Sequence, residues 1–600
     1  MSLVRPYDVT YALGFKKKNL FTYLLGWLLL YVLRLDKLNR FYSRNKHLQG
    51  PDFVDQVIEA LDLHLEVPAE DLKRIPSEGP FITVSNHPLG GLDGILLMKL
   101  IGSRRPDYKV WPNFLLEKIE PLKEYFLRFP DDQNGSSSYA QRKKQVIRYL
   151  QQGHGLAIFP AGEVSTYRQG NIYVDRQWDD EALRLIYEAK VPVVPIYFHA
   201  RNSRIFYWLS KLGPMFRTAR LPSELFNKKR RSIQVRIGHA IKPGEIEKFA
   251  DHRRFGDYLR KKTYLLAKPF EKLPSPSRFS LKKWLGWHNQ KIIDPVPVEK
   301  MLPEIEFLRQ NGRRLVHRGD YEVFLADSRH IPHVLREISR LREVTFRRIG
   351  EGTGRRFDLD KFDKHFKHLF LWDKKNRKIA GAYRIGIGRE IYDKYGIKGF
   401  YIPTLFRFEP EAHYILKYGL ELGRAFVVPE YQQKPYPLFL LWQGILHTLF
   451  RYPGHKYIVG GVSISDKFSD FSKALMIEFM KSNYYDPFLA NYIHPKKEFK
   501  VKLEDADKDF IFDATQSDLN KLDKIIDELE PNYLRLPVLI KQYIKQNAKI
   551  ISFNVDPAFN NSIDALMYIR VTDIPQKTLQ PVLEQYEQIL QEDNHQTRQA

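Results

Sequence analysis

The stretch FITVSNHPLGGLDGILL, residues 81–97, decides how the first half of the chain is read. FITVS is an apolar, partly β-branched run of strand length, Pro88, Gly90 and Gly91 break it, and DGILLMKLIG continues as a helix pattern. His87 and Asp93 lie six positions apart around the break. In one continuous helix they would point about 240° apart. The proline and glycines instead delay the helix, leaving Asp93 as its N-cap with a carboxylate free to turn back toward the imidazole. A carboxylate that fixes the tautomer makes the other ring nitrogen a general base for a hydroxyl. A capping aspartate and a histidine bonded within a turn account for the same residues structurally.

Outward from this stretch, short apolar strands alternate with helical patterns: FITVS (81–85), GLAIFP (155–160) and VPVVPIYF (191–198), with helices near 93–102, 138–152 and 179–189. This is α/β alternation. KLPSPSRFS (272–280), continuing through DPVPVEKMLPEIEFL (294–308), breaks both periodicities and reads as a linker. Beyond it come YEVFLAD (321–327), a helix near 331–348, strands near 367–373, 378–387 and 422–428, a helix near 437–450 and KYIVGGVSI (456–464). Short turns between adjacent strands give this half more antiparallel character. The expected division is 1–45, 46–272, a linker 273–312, and 313–600.

The 600 residues carry 96 Lys+Arg against 71 Asp+Glu, a formal charge of +25, which favours an anionic partner. The cations are scattered, with no zinc-spaced His/Cys set and no RNA-binding aromatic signature, so nucleic acid is not expected. The absence of cysteine excludes disulfides and thiol catalysis. Near the N-terminus an apolar run from Leu20 to Leu33 is flanked by Lys16, Lys17 and Lys18 before it and Arg34, Lys37 and Arg40 after it. As a helix it is roughly 21 Å long, short of a hydrocarbon core of about 30 Å. No small-residue cleavage site follows. With Tyr23, Trp27 and Tyr31 inside the run, it reads as a helix lying in the interface of an anionic leaflet, hence a monotopic or peripheral protein. A buried core helix is the competing reading.

SNHPLGGLDG, then FPAGEVS, then VPVVPI follow the order and spacing of the blocks of the PlsC-like glycerolipid acyltransferases, which residues 75–245 resemble. The resemblance implies acyl transfer from a thioester to a hydroxyl, with His87 as base, Asp93 orienting it, Ser85 and Asn86 as polar support, and Asn86 together with Gly162, Glu163 and Ser165 of the acceptor block expected to bind substrate. It also places oxyanion donors near Gly90–Gly91 or Gly162. Two departures stand out. Five residues rather than four separate the dyad, and FPAGEVS carries Val164 where the family has an arginine, with Ala161 for its glutamate and Glu163 for its threonine. An acceptor phosphate wants a cation there. The acceptor is therefore expected to lack a phosphate, while Glu163 is open to reading as a solvent-facing loop carboxylate.

In the second half, the strip Asp358, Asp360 and Asp363 and the pair Glu421 and Arg424 each read singly as surface salt-bridge or capping groups, and Arg342 with Phe346 makes an Arg-x3-Phe element. Three residues apart, Glu421 and Arg424 point to opposite sides of an ideal strand, so a bulge at Gly423 is needed to bring them together. As a set, over 315–575, they resemble the GNAT-fold N-acyltransferases that use acyl-carrier protein: the acyl-homoserine-lactone synthases and the ornithine-lipid enzymes. VVPEYQQKPYPLFLLW (427–442) has no glycine for a pyrophosphate-binding loop, which favours acyl-carrier protein over CoA as donor.

Together the halves resemble the bifunctional ornithine-lipid synthases of bacteria. The fold class this implies is α/β in two domains, a PlsC-like O-acyltransferase with an interfacial helix and a GNAT-like mixed sheet. The expected reaction is N-acylation of an amino acid by a 3-hydroxyacyl thioester, then O-acylation of the new 3-hydroxyl, at the cytoplasmic face of the inner membrane, with no metal and no bound cofactor. The acidic strip 358–363 is compatible with a second amine on the amino acid. The alternative is a lysophospholipid O-acyltransferase fused to an unrelated small-amine N-acyltransferase; a non-catalytic membrane scaffold is a third reading.

Overall fold

The computed structural model describes residues 4–599 except 13–14, 16, 112–118, 128–138, 170–171, 212–220, 222, 226, 229–230, 271–289, 501–502, 504–507, 509–516 and 531–533. Lys16 and the KLPSPSRFS segment therefore lie outside the described residues. The chain divides into two compact units, Met1–Ser275 and Pro276–Ala600.

In the first unit six strands form one mixed sheet in the order β1 (His64–Glu66), β8 (Ser232–Ile237), β7 (Val193–His199), β2 (Phe81–Ser85), β4 (Gly155–Ile158), β3 (Lys109–Val110). All neighbours are parallel except β7 and β8. A small antiparallel pair, β5 (Tyr167–Gln169) with β6 (Ile172–Val174), follows β4. Every residue of β2 is buried, as expected of a central parallel strand covered on both faces. One core, with Leu92, Leu96 and Phe198, covers one side of the sheet, and another, with Leu150, Ile186 and Phe255, covers the other. The carboxyl end of such a strand, where the chain leaves for a helix, is where α/β sheets place ligands.

The helix Leu20–Val32 forms where expected, N-capped by Asn19. Thr22, Gly26 and Leu30 turn inward, and Leu20, Phe21, Leu24, Trp27, Leu28 and Tyr31 are exposed. No helix among the described residues is long and apolar enough to cross a membrane.

The second unit is built on an eight-stranded sheet ordered β17 (Lys549–Asp556), β18 (Ser562–Arg570), β15 (Tyr457–Ile464), β14 (Gly419–Val427), β12 (Lys378–Ile387), β11 (Lys367–Asp373), β10 (Tyr321–Asp327), β9 (Arg314–Arg318). A two-stranded sheet pairs β13 (Phe406–Phe408) with β16 (Ile493–Pro495). Only β14 and β15 run parallel in the large sheet, and their pairing stops at Leu422 and Gly460 while both strands continue. Beyond that point the two strands part, opening a cleft in mid-sheet.

Residues 298–310, read as linker, are a helix, Val298–Gln310, with Met301, Ile305 and Leu308 buried. The i, i+4, i+7 spacing of those three supplies one apolar face. Pro297, as N-cap, starts this helix rather than ending structure.

Candidate active sites

The chain leaves β2 at Asn86 and reaches the helix Gly91–Gly102 through Gly90, whose φ of 71° is a left-handed conformation. A Cβ on Gly90 would stand 3.3 Å from both Val164 and Leu221. The helix begins two residues earlier than expected, so Asp93 is in its first turn and Gly90 is the N-cap. From there Asp93 Oδ2 lies 3.0 Å from His87 Nδ1 and accepts the Leu89 N–H at 2.8 Å. Both side chains are buried. Burial raises the Asp93 carboxyl above its ordinary value, and the imidazole opposes that shift. The Phe159 ring packs 4.5 Å from the imidazole, centroid to centroid.

Asp175, which no motif singled out, fastens this turn. Its carboxylate accepts the His87 N–H at 3.2 Å, the Ser165 hydroxyl, and the Trp178 indole N–H at 3.1 Å. Ser165 N–H in turn donates to the His87 carbonyl at 2.9 Å. The acceptor block is thereby tied to the dyad at Ser165, while Glu163 is half-buried in the turn before it. Val164 is buried with Phe206, Tyr207, Tyr173 and Leu221, an apolar wall where the family's arginine would stand.

Two expectations are corrected here. Asn86 is not available to a substrate: its amide is buried and exchanges two hydrogen bonds with the backbone of Phe198, at 3.0 and 2.8 Å. The Gly162 N–H is committed to the Phe159 carbonyl at 3.1 Å, which removes it as an oxyanion donor. Sequence reading also missed Lys228, a buried cation that donates to the Arg201 carbonyl at 2.6 Å and lies 3.8 Å from Glu224. Burial lowers its pKa to about 8.

In the second unit Glu421 sits where β14 still pairs with both neighbours, opposite Gly386 and Val459. Its buried carboxylate accepts the N–H groups of Tyr401 and Ile402 at 2.9–3.2 Å. Burial raises its pKa to about 7 against those donors and the Arg384 charge. The bulge that Glu421 and Arg424 require is present but displaced by a residue: Phe426 pairs with Ala382 and Gly423 with Arg384, so Arg424 and Ala425 together oppose Tyr383. Arg424 takes the positive φ, 51°, usually left to glycine. The bulge brings its guanidinium to the Tyr401 hydroxyl at 3.5 Å, so both residues converge on Tyr401.

The acidic strip is not open for a substrate amine as expected. Asp358 pairs with Arg424 at 2.9 Å, Asp360 with Arg384 at 2.7 Å and Arg424 at 3.5 Å, and Asp363 with Arg342 at 2.7 Å and Arg384 at 3.3 Å. Burial would raise Asp363, yet Arg342 and Arg384 hold it well below the usual carboxylate range. Burial and Arg342 lower the neighbouring His368 to about 4. Phe346 meets Phe426 edge to face at 6.5 Å, seating the helix Pro332–Ile349 on β14. These residues brace the cleft; the strip neutralises the protein's own arginines.

A family model described as "Acyltransferase" matches residues 16–272, and one described as "Acetyltransferase (GNAT) domain" matches 341–443. A lyso-glycine lipid O-acyltransferase of Bacteroides thetaiotaomicron is 30% identical over 270 residues, 43% of this chain and 97% of that protein. A glycine N(alpha)-acyltransferase of Phocaeicola vulgatus is 25% identical over 293 residues, 46% of this chain and 88% of that protein. The crystal structure of the 1-acyl-sn-glycerophosphate acyltransferase PlsC of Thermotoga maritima aligns with 42% of this chain and 90% of its own, at 15% identity and a TM-score of 0.25. Two acyl-transfer domains, one PlsC-like and one of the GNAT class, follow each other in a single polypeptide, and the chain belongs to the acyltransferases.

Proposed function

We propose that the chain makes a phosphate-free, two-chain aminolipid of the ornithine-lipid or glycine-lipid kind. The GNAT domain N-acylates an amino acid with a 3-hydroxyacyl thioester, and the PlsC-like domain then O-acylates the 3-hydroxyl so introduced. The observation that carries this reading is the His87–Asp93 pair beside an apolar wall at Val164, in the same chain as a buried carboxylate, Glu421, near the β14–β15 cleft.

In the N-acylation step the substrate ammonium gives a proton to Glu421, whose raised pKa suits a base working near neutrality. The neutral amine attacks the thioester carbonyl, the tetrahedral oxyanion collapses, and the C–S bond breaks as the surplus proton on nitrogen passes to sulfur and the carrier leaves as its thiol. In the O-acylation step His87 Nε2 takes the proton of the 3-hydroxyl as its oxygen attacks a second thioester. Asp93 holds Nδ1 meanwhile, and the imidazolium returns the proton to the departing thiolate. The N–H groups at the start of the helix Gly91–Gly102 suit the oxyanion.

A carrier protein as donor is supported by the formal charge of +25 and by the missing glycine loop after β14. The exposed apolar side of the helix Leu20–Val32, flanked by Lys17, Lys18 and Arg34, supports attachment to one face of an anionic membrane. Val164 argues against a lysophospholipid acceptor, whose phosphate has no guanidinium at that position. The test is expression in a host without aminolipids, with mass spectrometry of the extract. His87→Ala is expected to accumulate the monoacyl product and Glu421→Ala to make neither species; the opposite order of accumulation overturns the assignment.

A further inference from the structure

The short helix Arg204–Ser210 in the first unit has an inside and an outside. Phe206 and Tyr207 are buried, while Arg204, Ile205 and Trp208 are exposed, Ile205 by 56% and Trp208 by 62%. At 3.6 residues per turn the exposed three fall within about 100° of one another around the axis. The charge around this face is of one sign. HARNSRIFYWLSK, residues 199–211, holds Arg201, Arg204 and Lys211, all exposed, and no acidic residue. Cations bordering a tryptophan and a branched aliphatic side chain suit the headgroup layer of an anionic leaflet. The helix Leu20–Val32, with Trp27 exposed and Lys17, Lys18 and Arg34 at its ends, has the same make-up.

The two helices are joined through side chains. Ser203 caps Arg204–Ser210 by accepting the Phe206 N–H at 3.2 Å. Buried Glu224 accepts the Ser203 N–H and hydroxyl at 2.9 and 2.6 Å, and the Asn227 amide at 3.3 Å. Arg34, two residues past the end of Leu20–Val32, donates to the Asn227 amide oxygen at 3.4 Å. The two exposed apolar faces thus belong to elements linked through Asn227 and Glu224.

Inward, the same short helix reaches the chemistry. Phe206 and Tyr207 complete the apolar wall with Val164. The Tyr207 hydroxyl accepts the Asn202 N–H at 3.0 Å, and the Asn202 amide donates at 2.8 Å to the carbonyl of Pro88, the residue after His87. A single helix therefore carries the wall beside the catalytic turn on one side and Ile205 and Trp208 on the other.

We propose that Ile205 and Trp208 enter the same anionic lipid surface as the helix Leu20–Val32, a second contact that holds the O-acylation site against the membrane. The inference rests on the membrane-attachment reading and adds to it a contact beside the active site. With both contacts made, a long-chain acceptor passes from the leaflet toward His87 along the Val164 wall without crossing water.

The chain has no cysteine, so single cysteines can carry an environment-sensitive fluorophore on the full-length protein. Ile205→Cys, Trp208→Cys and Leu24→Cys are labelled, with Arg253→Cys as an exposed position on another helix of the unit. On vesicles of phosphatidylcholine with phosphatidylglycerol, emission is expected to rise at least threefold and move to the blue at the first three positions. At Arg253→Cys it should change less than twofold. A response at Leu24→Cys with none at Ile205→Cys and Trp208→Cys overturns the proposal and leaves membrane attachment standing. No response at any position overturns both. A blue shift at Ile205→Cys or Trp208→Cys that requires a carrier protein, or that follows protein concentration without vesicles, gives this face to another occupant and overturns the proposal as well. The second measurement is kinetic. Ile205→Ser with Trp208→Ser is expected to lower kcat/KM at least fivefold for a long-chain N-(3-hydroxyacyl) amino acid embedded in vesicles. For a short-chain, water-soluble acceptor the change should stay below twofold, and equal losses on the two acceptors refute the contact.

Discussion

Asp93 and Glu421 are both buried carboxylates raised by desolvation, but an imidazole steadies the first and two backbone amides the second. Asp93→Asn keeps the shape and removes the charge that fixes the His87 tautomer. O-acylation of a supplied monoacyl aminolipid is expected to fall by about 10²–10⁴, the range for a displaced general base. For Glu421 the rise from 4.5 to about 7 links stability to pH. The folded state holds the proton more tightly than the unfolded chain. The associated stability, about 3 kcal/mol, is complete below pH 4.5 and is lost as pH rises through about 7. Denaturant midpoints of the second unit's transition should decline over that window, and Glu421→Gln should flatten the decline. Arg342 poses a different case. Replacing it with Met leaves Asp363 buried with Arg384 alone and is expected to destabilise the unit by about 3 kcal/mol in chemical denaturation.

Among elements, the helix Leu20–Val32 divides its residues, with Thr22, Gly26 and Leu30 inward and Leu20, Phe21, Leu24, Trp27, Leu28 and Tyr31 outward. Gly26 is there because a Cβ would meet the Pro6 carbonyl oxygen at 2.3 Å, so the helix Pro6–Ala12 packs directly on it. Leu24→Ser with Trp27→Ser should lower partitioning onto vesicles containing anionic lipid by tenfold or more in sedimentation assays, and added salt should weaken the parent protein's binding. β14 shows the complementary behaviour: its bulge spends a left-handed conformation on Arg424, a non-glycine residue, and gains the pairings with Asp358, Asp360 and Tyr401. The sequence demanded a bulge between Glu421 and Arg424, but its place was fixed by the register with β12. Residues 298–310 show the reverse error, since Pro297 at the N-cap and Pro303 inside the helix masked its amphipathic face.

For the whole molecule, the two units each carry their own sheet and core, and each candidate active site lies within one unit. The proposed chemistry imposes the order, because the hydroxyl acylated second arrives on the acyl chain attached first. Feeding a synthetic N-(3-hydroxyacyl) amino acid to the Glu421→Ala protein is therefore expected to restore the two-chain lipid, measured by mass spectrometry. Feeding it to His87→Ala should not.

The sequence by itself determined the strands and helices that carry the motifs, the proximity of His87 to Asp93, and the need for a bulge after Glu421, because each depends on neighbours a few positions away. Only the tertiary structure decided which charges are spent and which remain. Asp175 reaches His87 from 88 positions along the chain, and Arg384 and Arg424 neutralise the strip 358–363. Glu351 meets Ser463 of β15 only once distant segments come together. The reason is physical: backbone preference is local, whereas Coulomb compensation and burial depend on whatever segments the fold brings within a few ångströms.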